Sequence, residues 1–246
     1  MGIEEVAFGM AVFLFAGAVK GIVGLGLPTI AIAILSLGQP IPEAMAMIAL
    51  PAFATNIWQA SVGGRFLVLS RRFLPLILPL VATLSLTVWF LGRKGPAWAM
   101  TVLAAVLIVY GAMGLARFRP RVPAGREALL TPMVGSASGF VAGVIGVPIV
   151  PLMPWLQALD LKPDELVQGL GIVLCATSLT LTLSLAAVGV LDLPRATLSL
   201  GVIAPAMAGM WIGQNIRRRL SVEQFRMAVY AALLLMGVYA LYRSLA

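Results

Sequence analysis

Apolar residues in this chain form long uninterrupted runs, and most polar residues fall in the short stretches between them. Four of these runs have the length of about 17–25 residues that an α-helix needs to cross a bilayer. They cover residues 73–91, 98–116, 196–212 and 225–241. No water-soluble fold of this length hides so much apolar surface, so the pattern predicts an all-α polytopic membrane protein.

Two further apolar stretches, 3–37 and 130–159, are longer than one crossing requires, at about 30–35 residues where about 20 are enough. The centre of each holds glycine and proline, namely Gly24, Gly26 and Pro28 in the first and Gly146 and Pro148 in the second. These residues weaken a helix and release backbone hydrogen-bonding groups. Each stretch is predicted to be either one long tilted helix with an interfacial tail or a re-entrant hairpin of two half-helices.

The chain repeats itself at an offset of 122 residues. The recurring positions are glycines of the two long stretches: Gly17, Gly21 and Gly24, which return as Gly139, Gly143 and Gly146. A turn with proline and an acidic residue follows in each half, "PIPEAM" and "LKPDEL", as a helix N-terminus prefers. We predict two homologous membrane repeats, 1–116 and 128–246, joined by a basic linker, 117–127. Each repeat would hold one broken segment and three spanning helices.

The distribution of lysine and arginine favours one orientation of these repeats, because membrane proteins collect both residues on the cytoplasmic side. Eight single crossings would put nine of them on one side and seven on the other, which is no bias. If each broken segment turns back inside the membrane, the second repeat is inverted and the split becomes twelve to four. We therefore predict inverted repeats, a recurring transporter plan, with both termini outside.

Composition narrows the function classes. The 246-residue chain is 61% hydrophobic and 11% charged, with a mean hydropathy of +1.04. Its net charge of +8 lies mostly in loops, which indicates the cytoplasmic membrane face and not nucleic acid. The sequence has no histidine, no P-loop and no carboxylate in the core of an apolar run. We predict no enzyme activity, no catalytic residue, no metal site and no cofactor.

Lys20 stands apart from the other basic residues, because it lies inside an apolar stretch directly before the glycine-rich break. A lysine at the centre of a spanning helix costs about 2.5–3.5 kcal/mol, so it is by default a candidate functional residue. The corresponding residue of the second half is Ala142, so the fold itself does not require a lysine. Lys20 either reaches an interface or polar cavity without touching substrate, or it is the fixed positive charge for an anion.

Uncharged polar residues within the spans are few, and two pairs of them coincide at the repeat offset: Thr55 and Asn56 lie over Thr177 and Ser178. These side chains either line a pathway or bond to neighbouring helix backbones, as they often do in membranes. The candidate substrate-binding residues combine the lysine, the glycine breaks and these polar pairs: Lys20, Gly21, Gly24, Gly26, Thr55, Asn56, Gly143, Gly146, Thr177 and Ser178.

The stretches "SGFVAGVIGVPIVPLM", "LKPDEL" and "VLDLPRATLSLGVIAPAMAGMWIGQNIRRR" resemble the sulfite exporter (TauE/SafE) family over nearly the whole chain. The resemblance implies a bacterial inner-membrane permease of duplicated architecture, linked to transport of sulfite, sulfoacetate and other small organic anions. It also implies that the two glycine-rich segments frame the path. The interrupted glycines, Gly24-Leu25-Gly26, depart from the family pattern, so substrate identity is not carried over.

The sequence therefore favours a multi-pass secondary transporter or facilitator that exports a small anion of the sulfite, sulfonate or small organic acid class. Its expected partners are that anion and the lipid bilayer, and a homodimer is left open. The alternative from another class is a non-transporting membrane scaffold or assembly protein. A scaffold has no reason to keep a lysine and two helix breaks at membrane depth.

Overall fold

A computed structural model describes residues 3–118, 120–122, 125–159, 161–217, 219 and 221–245. Arg119 and Arg218, which belong to the predicted distribution of lysine and arginine, lie outside the described residues. In the described chain the regular elements are all helical: α1 Ile3–Val23, α2 Leu27–Leu35, α3 Ile41–Ser61, α4 Phe66–Leu91, α5 Ala99–Leu115, α6 Glu127–Ile145, α7 Ile149–Ala158, α8 Pro163–Ala187, α9 Leu193–Gly201, α10 Ile203–Ile216 and α11 Val222–Leu245. The predicted all-α class is confirmed.

Six helical stretches of the described chain are long and apolar enough to cross a membrane: Val6–Val23, Phe66–Leu91, Glu127–Ile145, Pro163–Ala187, Leu193–Ile216 and Val222–Ser244. Many of their outward side chains are large and apolar, such as Phe90, which is 74% exposed. In water this apolar surface would cause aggregation, whereas in a bilayer it is the surface that contacts lipid. The predicted multi-pass membrane protein is therefore confirmed.

Both long apolar stretches are broken at the predicted glycines. α1 ends before Gly24 and Gly26, whose φ angles of 89° and 115° are left-handed. α6 ends at Gly146, whose φ angle is 81°. A residue with a Cβ would be strained at these angles, which is why glycine occupies the breaks. Each break leads into a short helix of nine or ten residues, α2 and α7.

The run 196–212, expected to be a single helix, is divided between α9 and α10 at Val202. Pro205 follows in the first turn of α10. Because proline has no N–H, it leaves the Gly201 carbonyl without its usual partner and favours a helix boundary at this point. The run 73–91 instead begins earlier than expected, since α4 starts at Phe66 and includes Arg71 and Arg72.

The helices pack in four principal pairs: α1 with α10, α4 with α6, α3 with α8, and α5 with α11. Glycines bring the backbones of these pairs together. A Cβ added at Gly17 would overlap the Ala206 carbonyl oxygen of α10, and one at Gly139 would overlap the Leu80 carbonyl oxygen of α4. Small residues that permit such close contact are the usual basis of helix association in lipid.

Two cavities lie where helix ends converge. The Arg195 cavity, of about 680 Å³, is lined at one side by the start of α1 and the end of α2, and at the other by Glu43, Asp192 and Arg195. The Arg226 cavity, of about 520 Å³, is lined by the ends of α5 and α7 and by the starts of α8 and α11. Arg117, Glu223 and Arg226 supply its charged side chains.

Candidate functional site

Lys20 lies in the last turn of α1 and is buried, with 3% of its surface exposed. Its Nζ donates one hydrogen bond to Thr55 Oγ1 at 3.1 Å and another to Asn56 Oδ1, both from the middle of α3. The ammonium group of Lys20 therefore ends among buried polar side chains and not at the protein surface.

Asn56 links three helices through its amide. Its Oδ1 accepts from Lys20 of α1, while its Nδ2 donates to the Leu174 carbonyl oxygen of α8 at 3.1 Å and to Ser178 Oγ at 3.4 Å. Asn56 and Ser178 are the residues that coincide at the repeat offset, and the structure brings them into contact. The site therefore has a polar centre at the crossing of α1, α3 and α8.

Thr55, Thr177 and Ser178 also bond to the backbone of their own helices. Thr55 Oγ1 donates to the Pro51 carbonyl oxygen at 2.8 Å, and Thr177 Oγ1 donates to the Val173 carbonyl oxygen at 2.8 Å. Thr55 and Ser178 in addition contact Lys20 or Asn56, whereas Thr177 makes no other side-chain hydrogen bond among the described residues. Of the two predicted roles, the described contacts show bonding to helix backbones, and lining of a pathway stays a prediction.

The two helix breaks meet around a small cavity of about 20 Å³ beside this centre. Gly26 and Pro28 line it from the first break, and Val147 and Pro148 line it from the second. Thr29, a residue that the sequence did not single out, also lines it, and its buried hydroxyl has no hydrogen-bond partner among the described residues. A cavity of this size holds about one water molecule, so the structure is closed around the breaks.

The predicted glycines divide into two groups. Gly24, Gly26 and Gly146 have left-handed backbone angles and form the breaks. Gly21 and Gly143 instead lie within helices, where an added Cβ would overlap Met210 of α10 and Thr87 of α4. Their position makes them contacts for close helix packing.

Lys20 has neutral partners only. No ion pair of the described chain includes Lys20, and its two hydrogen-bond acceptors are a hydroxyl and an amide oxygen. A buried cation usually requires a paired charge, because neutral groups replace only part of the hydration it loses. The site is therefore suited to receive a negative charge. The described residues also contain no group of three histidine, cysteine or acidic side chains that could hold a metal ion.

Ser199 of α9 is a buried polar residue that sequence reasoning missed. Its Oγ donates to the Met47 carbonyl oxygen at 2.9 Å and accepts from the Leu50 N–H at 3.3 Å. Pro51 has no N–H, so the Met47 carbonyl lacks its partner within α3, and Ser199 supplies one. The available signal was Pro51 itself, since a proline inside a spanning helix requires a polar group nearby.

Helices of spanning length, an apolar outer surface and a buried lysine beside two broken helices are the features of a helical membrane transporter. The profile of the family described as Sulfite exporter TauE/SafE matches residues 9–240 of the chain. The chain belongs to this family of membrane transporters, as its sequence motifs indicated. No curated protein and no solved structure matches it.

Proposed function

We propose that this protein is a secondary transporter or facilitator that exports a small anion of the sulfite, sulfonate or small organic acid class. The observation that carries the proposal is Lys20, a buried ammonium group with neutral partners only in the described chain. An anion entering the site would accept the hydrogen bonds that Thr55 and Asn56 now accept. Lys20 would then have a paired charge at membrane depth.

The helix breaks supply a second attraction for an anion. α2 begins after Gly26 with no side-chain cap on its first N–H groups, and those residues are buried. A helix N-terminus has free N–H donors and a partial positive charge, which favours anions. Gly24 has no atom within 4 Å of the position where a Cβ would lie, so its backbone has open space beside it. The proposed site therefore comprises Lys20, the two breaks and the polar centre around Asn56.

The helix ends support the inverted, re-entrant arrangement. Phe8 of α1 and Leu35 of α2 line the same cavity, as expected if α2 returns to the side where α1 began. Arg243, near the end of α11, donates to the Leu37 carbonyl oxygen in the loop after α2. In this arrangement the Arg195 cavity opens outside and the Arg226 cavity opens to the cytoplasm.

Two ion pairs argue against eight single crossings. That arrangement places the loop after α3 and the loop before α8 on opposite sides of the membrane, yet Arg65 pairs with Glu165. It also separates the end of α5 from the start of α11, yet Arg117 lies 3.6 Å from Glu223.

Export of an anion needs no dedicated proton carrier, because an inside-negative potential drives an anion outward with about 2.3 kcal/mol per charge per 100 mV.

The test is anion flux in proteoliposomes with a potential that is negative on the side of the Arg226 cavity. We expect Lys20→Met to lose most sulfite or methanesulfonate flux, because the paired charge is removed while the side-chain volume is kept. Lys94→Met is the matched control, since Lys94 is an exposed loop lysine. Wild-type flux in Lys20→Met would remove the lysine from the mechanism, and no flux in the wild type would favour the scaffold alternative.

A further inference from the structure

The Arg195 and Arg226 cavities carry opposite formal charge. The described lining of the Arg226 cavity holds two arginines and one glutamate, Arg117, Arg226 and Glu223, which leaves one positive charge. The lining of the Arg195 cavity holds one arginine and two acids, which leaves one negative charge. Arg119 and Asp160 adjoin the Arg226 cavity in sequence but lie outside the described residues, and their own formal charges cancel. An anion is therefore attracted to the first cavity and repelled by the second.

Two residues that line the Arg226 cavity have buried donors without an acceptor in the described chain. Tyr110 lines it with 4% of its surface exposed, and its buried hydroxyl has no hydrogen-bond partner among the described residues. Arg226 Nε is likewise buried and has no hydrogen-bond partner in the described part of the chain. A buried donor without an acceptor is costly, so a bound anion that reached these donors would satisfy them.

Glu223 is the only described carboxylate in this lining, and two arginines share it. Arg226 Nη2 lies 2.5 Å from Glu223 Oε2, and Arg117 Nε lies 3.6 Å from Glu223 Oε1. Two guanidinium groups have more donors than one carboxylate can accept from. A second carboxylate or a sulfonate would complete the charge balance.

The shape of the cavity favours an organic anion over a bare inorganic one. The cavity measures about 520 Å³, and most of the remaining lining is apolar: Met113, Phe118, Leu156, Leu159, Leu161 and Leu166. A small-molecule site commonly combines such an apolar wall with a few placed polar groups. The charged end of the ligand would bind the arginines and its apolar body would contact the leucines.

One face of α8 connects this cavity with the site around Lys20. Leu166 lines the Arg226 cavity, and Leu170 and Leu174, one and two turns further, line the small cavity between the breaks. The Leu174 carbonyl oxygen then accepts from Asn56, which contacts Lys20. Residues spaced by four lie on one side of a helix, so the Arg226 cavity, the small cavity between the breaks and the site around Lys20 follow one another along α8.

We propose that the Arg226 cavity is a capture site for a monovalent organic carboxylate or sulfonate, which binds there before it reaches Lys20. Its position on the transport route rests on the proposed function, whereas the binding itself does not. Arg226, Tyr110 and Arg117 hold the charged group, and Glu223 competes with it for the arginines.

The experiment is calorimetric titration of the purified full-length protein with 1-butanesulfonate, with butylammonium as the probe of opposite charge. We expect Arg226→Gln to weaken butanesulfonate binding about tenfold or more and Tyr110→Phe about threefold to tenfold, as loss of a charged and a neutral hydrogen bond predicts. Glu223→Gln should strengthen binding, because it removes the competing carboxylate. Lys20→Met should keep the binding that Arg226→Gln weakens, while its flux is lost.

Several results would overturn the capture site. These are wild-type affinity in both Arg226→Gln and Tyr110→Phe, binding of butylammonium as strong as that of butanesulfonate, and loss of binding in Lys20→Met. Loss of butanesulfonate binding when phosphatidylglycerol replaces phosphatidylcholine in mixed micelles would assign the cavity to a lipid headgroup and also overturn the proposal. Tyr110→Phe removes a single oxygen and should fold, so its butanesulfonate affinity tests the capture site if Arg226→Gln fails to fold. Full flux in Lys20→Met with binding intact would overturn the proposed function and leave the capture site standing.

Discussion

At the scale of single residues, the hydrogen bond between Lys20 and Asn56 orients the ammonium group without neutralising its charge. Asn56 orients the ammonium group with a neutral oxygen and fixes its own amide against α8. An amide satisfies the donor without cancelling the charge, so the proposed site would hold Lys20 in place and leave its charge for an anion.

This assignment predicts the effect of Asn56→Asp. The new carboxylate would pair with Lys20, so the protein should fold with about wild-type thermal stability but lose most anion flux, because the site is already neutralised. Flux and the melting temperature in detergent are the two measurements.

The control is the same change in the Lys20→Met background. There the aspartate has no cation to pair with, so Asn56→Asp should lower the melting temperature clearly below that of Lys20→Met alone. Equal effects of the substitution in both backgrounds would mean that the two side chains are not coupled.

Sequence reasoning identified Lys20, Thr55, Asn56 and Ser178 because a polar residue in an apolar run is conspicuous. It did not identify Ser199, which lies in the short helix α9 and acts on a carbonyl 152 residues earlier in the chain. Long-range contacts of this kind depend on which helices are neighbours, and hydropathy does not contain that information.

At the scale of helices, the glycines act in two different ways. Those with left-handed backbone angles interrupt α1 and α6, and those inside helices let α1 approach α10 and α6 approach α4. Gly209 and Gly213 of α10 are four residues apart, and both lie against α1 at the Leu14 and Ala18 carbonyl oxygens. The partner helix followed only from the structure.

Gly209→Ala is therefore expected to be strongly destabilising. Its new methyl group would overlap the Leu14 carbonyl oxygen, a backbone atom that cannot move without separating α1 from α10. We expect a loss of about 1–3 kcal/mol, as for other overpacked sites, measured by thermal unfolding in detergent.

Gly201→Ala is the matched control, because no atom lies within 4 Å of its added Cβ and its backbone angle is not left-handed. It should have little effect on the melting temperature. A similar loss in both variants would show that helix flexibility, and not contact with α1, sets the cost.

At the scale of the whole molecule, the apolar pattern predicted an all-α membrane protein, while the boundaries of its helices needed the structure. The long stretches became a spanning helix plus a short one, and α9 separated from α10 at a point that hydropathy does not mark. The repeat offset predicted that Asn56 corresponds to Ser178, and the two side chains are in contact. It did not predict that each long stretch packs mainly on a helix from the other half.

The inverted arrangement makes a prediction for labelling from outside the cell. In a Cys175→Ser background, which removes the single cysteine, we expect an impermeant maleimide to label Gly38→Cys but neither Arg121→Cys nor Lys162→Cys. Labelling after permeabilisation is the control for accessibility. Lys162→Cys labelled together with Gly38→Cys would instead support eight single crossings.

The packing of α1 on α10 has a consequence for how the protein is made. α1 ends at Val23, but its principal partner α10 is complete only at Ile216. At about 5–20 residues per second, roughly 10–40 s of synthesis separate the two. During this interval the glycine face of α1 and the charge of Lys20 lack their final neighbour, so the inserted first half depends on lipid or on the insertion machinery until the second half arrives.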